Sequence, residues 1–178
     1  SKIIHEKLGK LEGIKLNYDL IEVDDLSQVD FDKYDGLNVT IPYKEEVTKY
    51  VTNNISICNT INENKKGFNT DVEGFVFMLK YNGIKVNIDD KIVVLGSGAM
   101  AKMIQGIYPH NEVKIVSRKN GGYNNENDIN GKILINASPI GMGDSYNECL
   151  ISESTICKFK YVVDLNYNPG INKLLYLA

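Results

Sequence analysis

The apolar positions of the chain follow a helical period first, then short extended runs, then an alternation of strand and helix. Ile3, Ile4, Leu8 and Leu11 fall on one stripe of a short helix over residues 1–11. A helix that opens at the first residue leads us to expect sequence ahead of it. Residues 16–23 are rich in strand formers, and after the acidic turn at Asp24 and Asp25 a second strand is expected over residues 36–41. Pro42 ends that strand and is suited to start a helix. Thr60 and Ile61, followed by the polar run from Asn62 to Lys66, read as a strand entering a hairpin turn. "NTDVEGFVFMLKYNG" specifies a helix best of all. Thr70 and Glu73 have the spacing of a capping box, Val72, Phe75, Val76 and Leu79 form its apolar face, and Gly83 supplies the stop.

From Lys91 onward the pattern changes. "KIVVLGSGAMAKMIQGIY", "VKIVSR", "KILINAS" and "KYVVDLNY" each contain a buried-type strand, and a glycine turn and helix follow the first. Four such runs predict a parallel, doubly wound sheet, so the chain reads as α/β in two domains with a boundary between residues 81 and 90. Residues 119–132 are the awkward part. They form a short polar stretch rich in Asn and Gly, barely the dozen or so residues that a crossover between parallel strands needs. Either the helix there is vestigial or residues have been lost.

Composition narrows the function classes. The 178 residues are 43% hydrophobic, enough to bury a core, and 20 basic against 23 acidic side chains give a net charge of −3. No basic stripe points to a nucleic acid or an anionic membrane, so the expected partner is a small molecule. Three scattered cysteines without a C-x-x-C favour a reducing compartment, and two histidines without a second ligand at helical spacing argue against a metal. With no apolar run near the roughly 20 residues that span a bilayer and no secretory leader pattern, the expected location is cytoplasmic.

Four places along the chain carry candidate chemistry. "GSGAMA" places Gly96, Ser97, Gly98, Ala99, Met100 and Ala101 directly after a strand and at the head of a helix. The first glycine permits a tight turn, the second lets backbone N–H groups approach a pyrophosphate, and the small last residue lets the helix pack on the strand. The same turn also serves purely conformational ends in many folds. Ser117, Arg118 and Lys119 close the next strand, where an NAD enzyme carries an acid; a basic site suits the 2′-phosphate of NADP, and a solvated arginine is the plainer alternative. "NVTIPYKEEV" ends an apolar strand with Lys44. Either Lys44 begins a surface helix, or it faces a pocket that needs a proton donor. Asp71 is open to two readings as well, a helix cap or a site carboxylate.

Taken in order, "NVTIPYK", "ICNT", "GFNTD", "GSGAMA", "NASPIGM" and "VVDLNYNP" resemble the shikimate dehydrogenase family over most of the chain. The N-V-T-I-P-x-K and N-T-D segments are the most specific parts. The resemblance implies an N-terminal α/β substrate domain, a Rossmann-like NADP domain and a cleft between them. It divides the chain into residues 1–83 for substrate, 84–166 for cofactor, and 167–178 as the start of a return to the substrate domain. The implied reaction is the reversible, NADPH-dependent reduction of 3-dehydroshikimate to shikimate, on the route to aromatic amino acids.

By the same resemblance Lys44 and Asp71 are the acid–base pair at the reacting carbonyl. Thr40, Asn59 and Tyr167 line the substrate site, and Ser1 matches the second serine of a carboxylate-binding S-x-S-P segment in which Lys2 replaces the proline. Arg118 matches the arginine of an N-R-T motif for the NADP phosphate, with Ser117 and Lys119 differing from its neighbours. The family begins with a strand ahead of Ser1 and closes with helices beyond Ala178, so the chain reads as a core segment, and a monomer or homodimer is expected. A quinate/shikimate dehydrogenase is the competing enzyme reading. A non-catalytic nucleotide-binding module is the competing reading from another class, and retention of both Lys44 and Asp71 argues against it.

Overall fold

The structure, a computed structural model, describes all residues from Ser1 to Ala178. Its C-terminal half is built on four parallel strands, β4 (Ile92–Leu95), β5 (Val113–Val116), β6 (Ile133–Asn136) and β7 (Tyr161–Asp164), in the order β5-β4-β6-β7. The expected parallel sheet is therefore present. The strands alternate strictly between two faces. Ile92, Val94, Ile133 and Ile135 join one apolar cluster, whereas Val93, Leu95 and Leu134 join another behind it. That two-sided burial is what the continuous aliphatic runs foretold.

From β4 the chain passes through helix α3 (Ala99–Ile107) to β5 on one side, then returns to β6 on the other. This reversal of direction opens a crevice at the carboxyl end of β4, where ligands of open α/β sheets bind. The connection from β5 to β6 holds only two 3₁₀ turns, Arg118–Asn120 and Glu126–Asp128. Buried Ile129 and partly buried Tyr123 cover the sheet in place of a helix. Glu126 ties this loop to the short helix α4 (Glu153–Ile156), accepting hydrogen bonds from the Ser152 backbone N–H at 3.0 Å and from the Ser152 and Thr155 hydroxyls. A last short helix, α5 (Lys173–Leu177), follows β7.

The N-terminal half differs more from expectation. Helix α1 (Lys2–Leu11) forms, but Ile3, Ile4, Leu8 and Leu11 are all exposed. Residues 16–23 make no strand, because no ladder partner lies alongside; the segment carries no regular structure and is held by contacts such as the Tyr43 hydroxyl donating to Val23 O. The second expected strand shrinks to β1 (Leu37–Asn38), which pairs with β2 (Thr60–Ile61). β2 pairs in turn with β3 (Gly67–Phe68) across the anticipated hairpin, where Asn62 Oδ1 accepts from Asn64 and Lys66 N–H. Pro42 opens a turn after a cis peptide bond rather than a helix, and a 3₁₀ turn over Glu46–Tyr50 follows.

Helix α2 (Thr70–Tyr81) has the expected extent. Its expected capping box is absent, because Thr70 lies inside the first turn and its hydroxyl is engaged by Asn59, which leaves Asn69 at the cap position. Phe75 and Leu79 of α2 are buried in the same cluster as Ile92, Val94 and Ile133. Val76 is half exposed, so the buried face is narrower than the sequence suggested.

Candidate active site

Lys44 follows the cis-proline turn, and Asp71 occupies the first turn of α2. The two lie 27 residues apart in the chain, yet Lys44 Nζ donates to Asp71 Oδ2 at 2.6 Å. Their side chains keep 14% and 28% of their exposure, so the pair is sheltered but open on one side. A 3₁₀ turn begins two residues after Lys44, at Glu46, but the Lys44 side chain is not exposed on it; it turns to a partner in another element. Asp71 is not a cap, since Asn69 holds that position.

Beside the pair is a short polar relay. Asn59 Oδ1 accepts from the Thr70 backbone N–H at 3.0 Å, and its amide group donates to the Thr70 hydroxyl at 3.0 Å. Asn59 is thereby fixed to the residue before Asp71. The Val39 N–H donates to Asn59 O at 2.8 Å; the neighbouring Thr40 is exposed, and its carbonyl accepts from Tyr43 N–H at 2.9 Å. Ser1 stands apart. It is exposed at the head of α1, where its carbonyl accepts from Ile4 and His5, and it makes no bond to the pair. Tyr167 lies in the loop after β7, is 87% exposed, and makes no hydrogen bond to the pair either.

The glycine loop sits at the crevice beyond β4. Gly96 has φ +110°, and a Cβ on it would stand 2.9 Å from the carbonyl oxygen of Ala137. Glycine is required here on both counts, because the left-handed region strains other residues and the loop after β6 presses on it. Gly98 faces open space, so the backbone is free to approach an anion, and Ala101 is buried where α3 meets the sheet. Ser97, Ala101, Lys102, Gln105, Ile115 and Asn120 line an open depression at this point. Ser117 is 4% exposed, and its Oγ has no hydrogen-bond partner. Exposed Arg118 and Lys119 follow it. A buried hydroxyl without a partner, two cations and an uncrowded glycine turn fit a phosphorylated nucleotide.

A polar network that sequence reasoning missed closes the other side of the crevice. Asp164 Oδ2 accepts from the amide groups of Asn136 and Asn172 at 3.0 and 2.8 Å, and Asn166 N–H donates to Asp164 Oδ1 at 2.8 Å. Asn136 also holds Ser138 and the carbonyl of Ile140. The loops after β6 and β7 are thus locked together next to Gly96. The signal for it was an asparagine and an aspartate ending otherwise aliphatic runs, "ILIN" and "VVD".

Comparison with known proteins agrees with this architecture. A family model described as the shikimate dehydrogenase substrate binding domain matches residues 1–62. A shikimate dehydrogenase (NADP(+)) of Clostridium beijerinckii is 34% identical over 206 aligned positions, which take in 98% of this chain and 76% of that protein. Shikimate dehydrogenase 1 from Peptoclostridium difficile superposes with a TM-score of 0.84 at 29% identity, covering 98% of this chain and 75% of that one. A chorismate mutase/shikimate 5-dehydrogenase fusion protein from Clostridium acetobutylicum gives 0.84 at 32% identity, covering 99% and 74%. Sequence identity sustained along nearly the whole chain, on a shared fold, makes this protein a member of the shikimate dehydrogenase family.

Proposed function

We propose that the chain catalyses the reversible, NADPH-dependent reduction of 3-dehydroshikimate to shikimate, with Lys44 and Asp71 as the acid–base pair. Residues 1–83 take the substrate, residues 84–166 take the cofactor, and residues 167–178 begin the return toward the substrate side. The observation that carries the reading is the 2.6 Å bond between Lys44 and Asp71, made between distant segments in a sheltered site.

NADPH supplies a hydride when bound, and the Gly96–Ala101 loop with Ser117, Arg118 and Lys119 is the set that would hold it. Reduction of a ketone leaves negative charge on the substrate oxygen, which needs a proton from a group within hydrogen-bond reach. Lys44 has that proton, and one of its N–H bonds is already committed to Asp71. The carboxylate fixes the direction of the ammonium group, leaving its other N–H bonds for the substrate. In the reverse direction the amine accepts the hydroxyl proton. Thr40 and Asn59 offer hydroxyl and amide groups to the ring hydroxyls of the substrate. Ser1 and Tyr167 are proposed as outer contacts to the substrate, Ser1 toward its carboxylate.

No helix of the chain is long and apolar enough to cross a membrane, and we place the enzyme in the cytoplasm. The test is NADP+ reduction followed by absorbance, with shikimate and then with quinate as substrate. Turnover of shikimate is expected to exceed that of quinate clearly. Absence of turnover with either acid, by a chain shown to bind NADP+, would overturn the proposal.

A further inference from the structure

Residues 1–69 and 91–178 are joined by a single polar link. Lys102 Nζ donates to both carboxylate oxygens of Glu45, at 2.8 and 2.7 Å, and no other hydrogen bond or ion pair connects the two stretches. Both ends of this link sit next to functional groups. Glu45 immediately follows Lys44, whose own carbonyl accepts from Cys58 N–H at 2.8 Å. Lys102 lies in the first turn of α3, lines the depression beside the glycine loop, and its N–H bonds Gly98 O at 3.2 Å. A cation in the first turn of a helix opposes the helix dipole, so local helix energetics give no reason for lysine there. Its reason lies in the facing carboxylate.

We infer that Glu45 and Lys102 form a strut across the cleft that sets the separation between Lys44 and the phosphate-binding turn. They are positioning residues for the reaction. The inference rests on the assignment of Lys44 as proton donor. Hydride transfer needs its reacting atoms at about 3–3.5 Å, so the two halves of the site must be held at one spacing. Three restraints then act on the Lys44 segment: Asp71 on the side chain, Cys58 on the carbonyl, and Lys102 through the next residue. The strut side chains are 48% and 55% exposed, which limits the effect of losing them and leaves variants free to fold.

The test is steady-state kinetics of shikimate oxidation with NADP+ on the full chain. Glu45→Ala and Lys102→Ala are each expected to lower kcat by about two- to five-fold, with the KM for NADP+ little changed and thermal unfolding midpoints at the wild-type value. The double variant should be no slower than either single one, and the exchanged pair Glu45→Lys with Lys102→Glu should recover most of the loss. Added salt should bring the wild type toward the single variants while leaving those variants flat. Losses that add up, an exchanged pair that recovers nothing, or a silent Glu45→Ala would overturn the strut, the last because it would mean that Lys102 acts alone on the nucleotide. Lys44→Ala separates the two readings. Retained activity in Lys44→Ala removes the proton-donor assignment, whereas an inactive Lys44→Ala beside wild-type strut variants removes only the strut.

Discussion

At the scale of single residues, the proposed chemistry depends on an amine held by a carboxylate. Replacing Lys44 by alanine removes the proposed proton donor without opening the core, since its side chain is partly exposed and outside the apolar clusters. General acid catalysis by a positioned group contributes about 10²–10⁴ in rate, so kcat should fall within that range while the unfolding midpoint stays close to wild type. Rapid turnover by purified Lys44→Ala would exclude the assignment. Arg118 makes a second prediction. A hydrogen bond between charged groups contributes about 1.5–3 kcal/mol, so Arg118→Ser should raise the KM for NADPH by about ten- to a hundred-fold and leave that for NADH almost unmoved. Equal rises for both cofactors would exclude recognition of the 2′-phosphate by Arg118. The residue types behind these predictions were legible in the sequence because lysine after a strand and arginine at a strand end are chemically conspicuous. Asn136 and Asp164 were less legible, because short polar residues at strand ends also serve ordinary turns.

At the scale of elements, the loop between β5 and β6 shows how a crossover manages without a helix. Glu126 receives two hydroxyls and a backbone N–H from the start of α4, and these bonds hold its carboxyl below the usual carboxylate range. The ionised form is therefore favoured in the folded protein. Its contribution to stability is complete above the ordinary glutamate pKa of about 4.3 and is lost as pH falls through the lower folded-state value. Glu126→Gln should cost about 1–2 kcal/mol near neutral pH and should flatten the acid limb of the stability profile, as measured by urea unfolding at several pH values. An unaltered acid limb would show that other carboxylates govern it. The β4–α3 turn, the hairpin and α2 could be read from local sequence, since turn chemistry and period act within a few residues. The strand expected over residues 16–23 could not, because a strand exists only when another strand supplies its hydrogen bonds.

For the whole molecule, the deciding feature is that the two halves share apolar contacts. Phe75 and Leu79 come from the helix that also carries Asp71, yet they pack with β4, β6 and α3. Deleting the Phe75 ring should cost about 3–5 kcal/mol, and the two halves should still unfold in one transition. Coincident loss of far-ultraviolet dichroism and tyrosine fluorescence would check this, and two separated transitions would contradict a shared core. The same contacts hold the Asp71 turn against the cofactor side of the molecule, so damage to the cluster should reach activity as well as stability.

The sequence by itself determined the parallel sheet, the glycine turn and the identities of the chemical groups. Each follows from interactions between near neighbours or from a solvent preference that every strand residue expresses alone. The tertiary structure alone decided that Lys44 meets Asp71, that Glu45 reaches Lys102, and that Asn136 meets Asp164. These pairings join residues far apart in the chain, and only the packed backbone sets the ångström-scale distances on which hydrogen bonds and proton transfer depend.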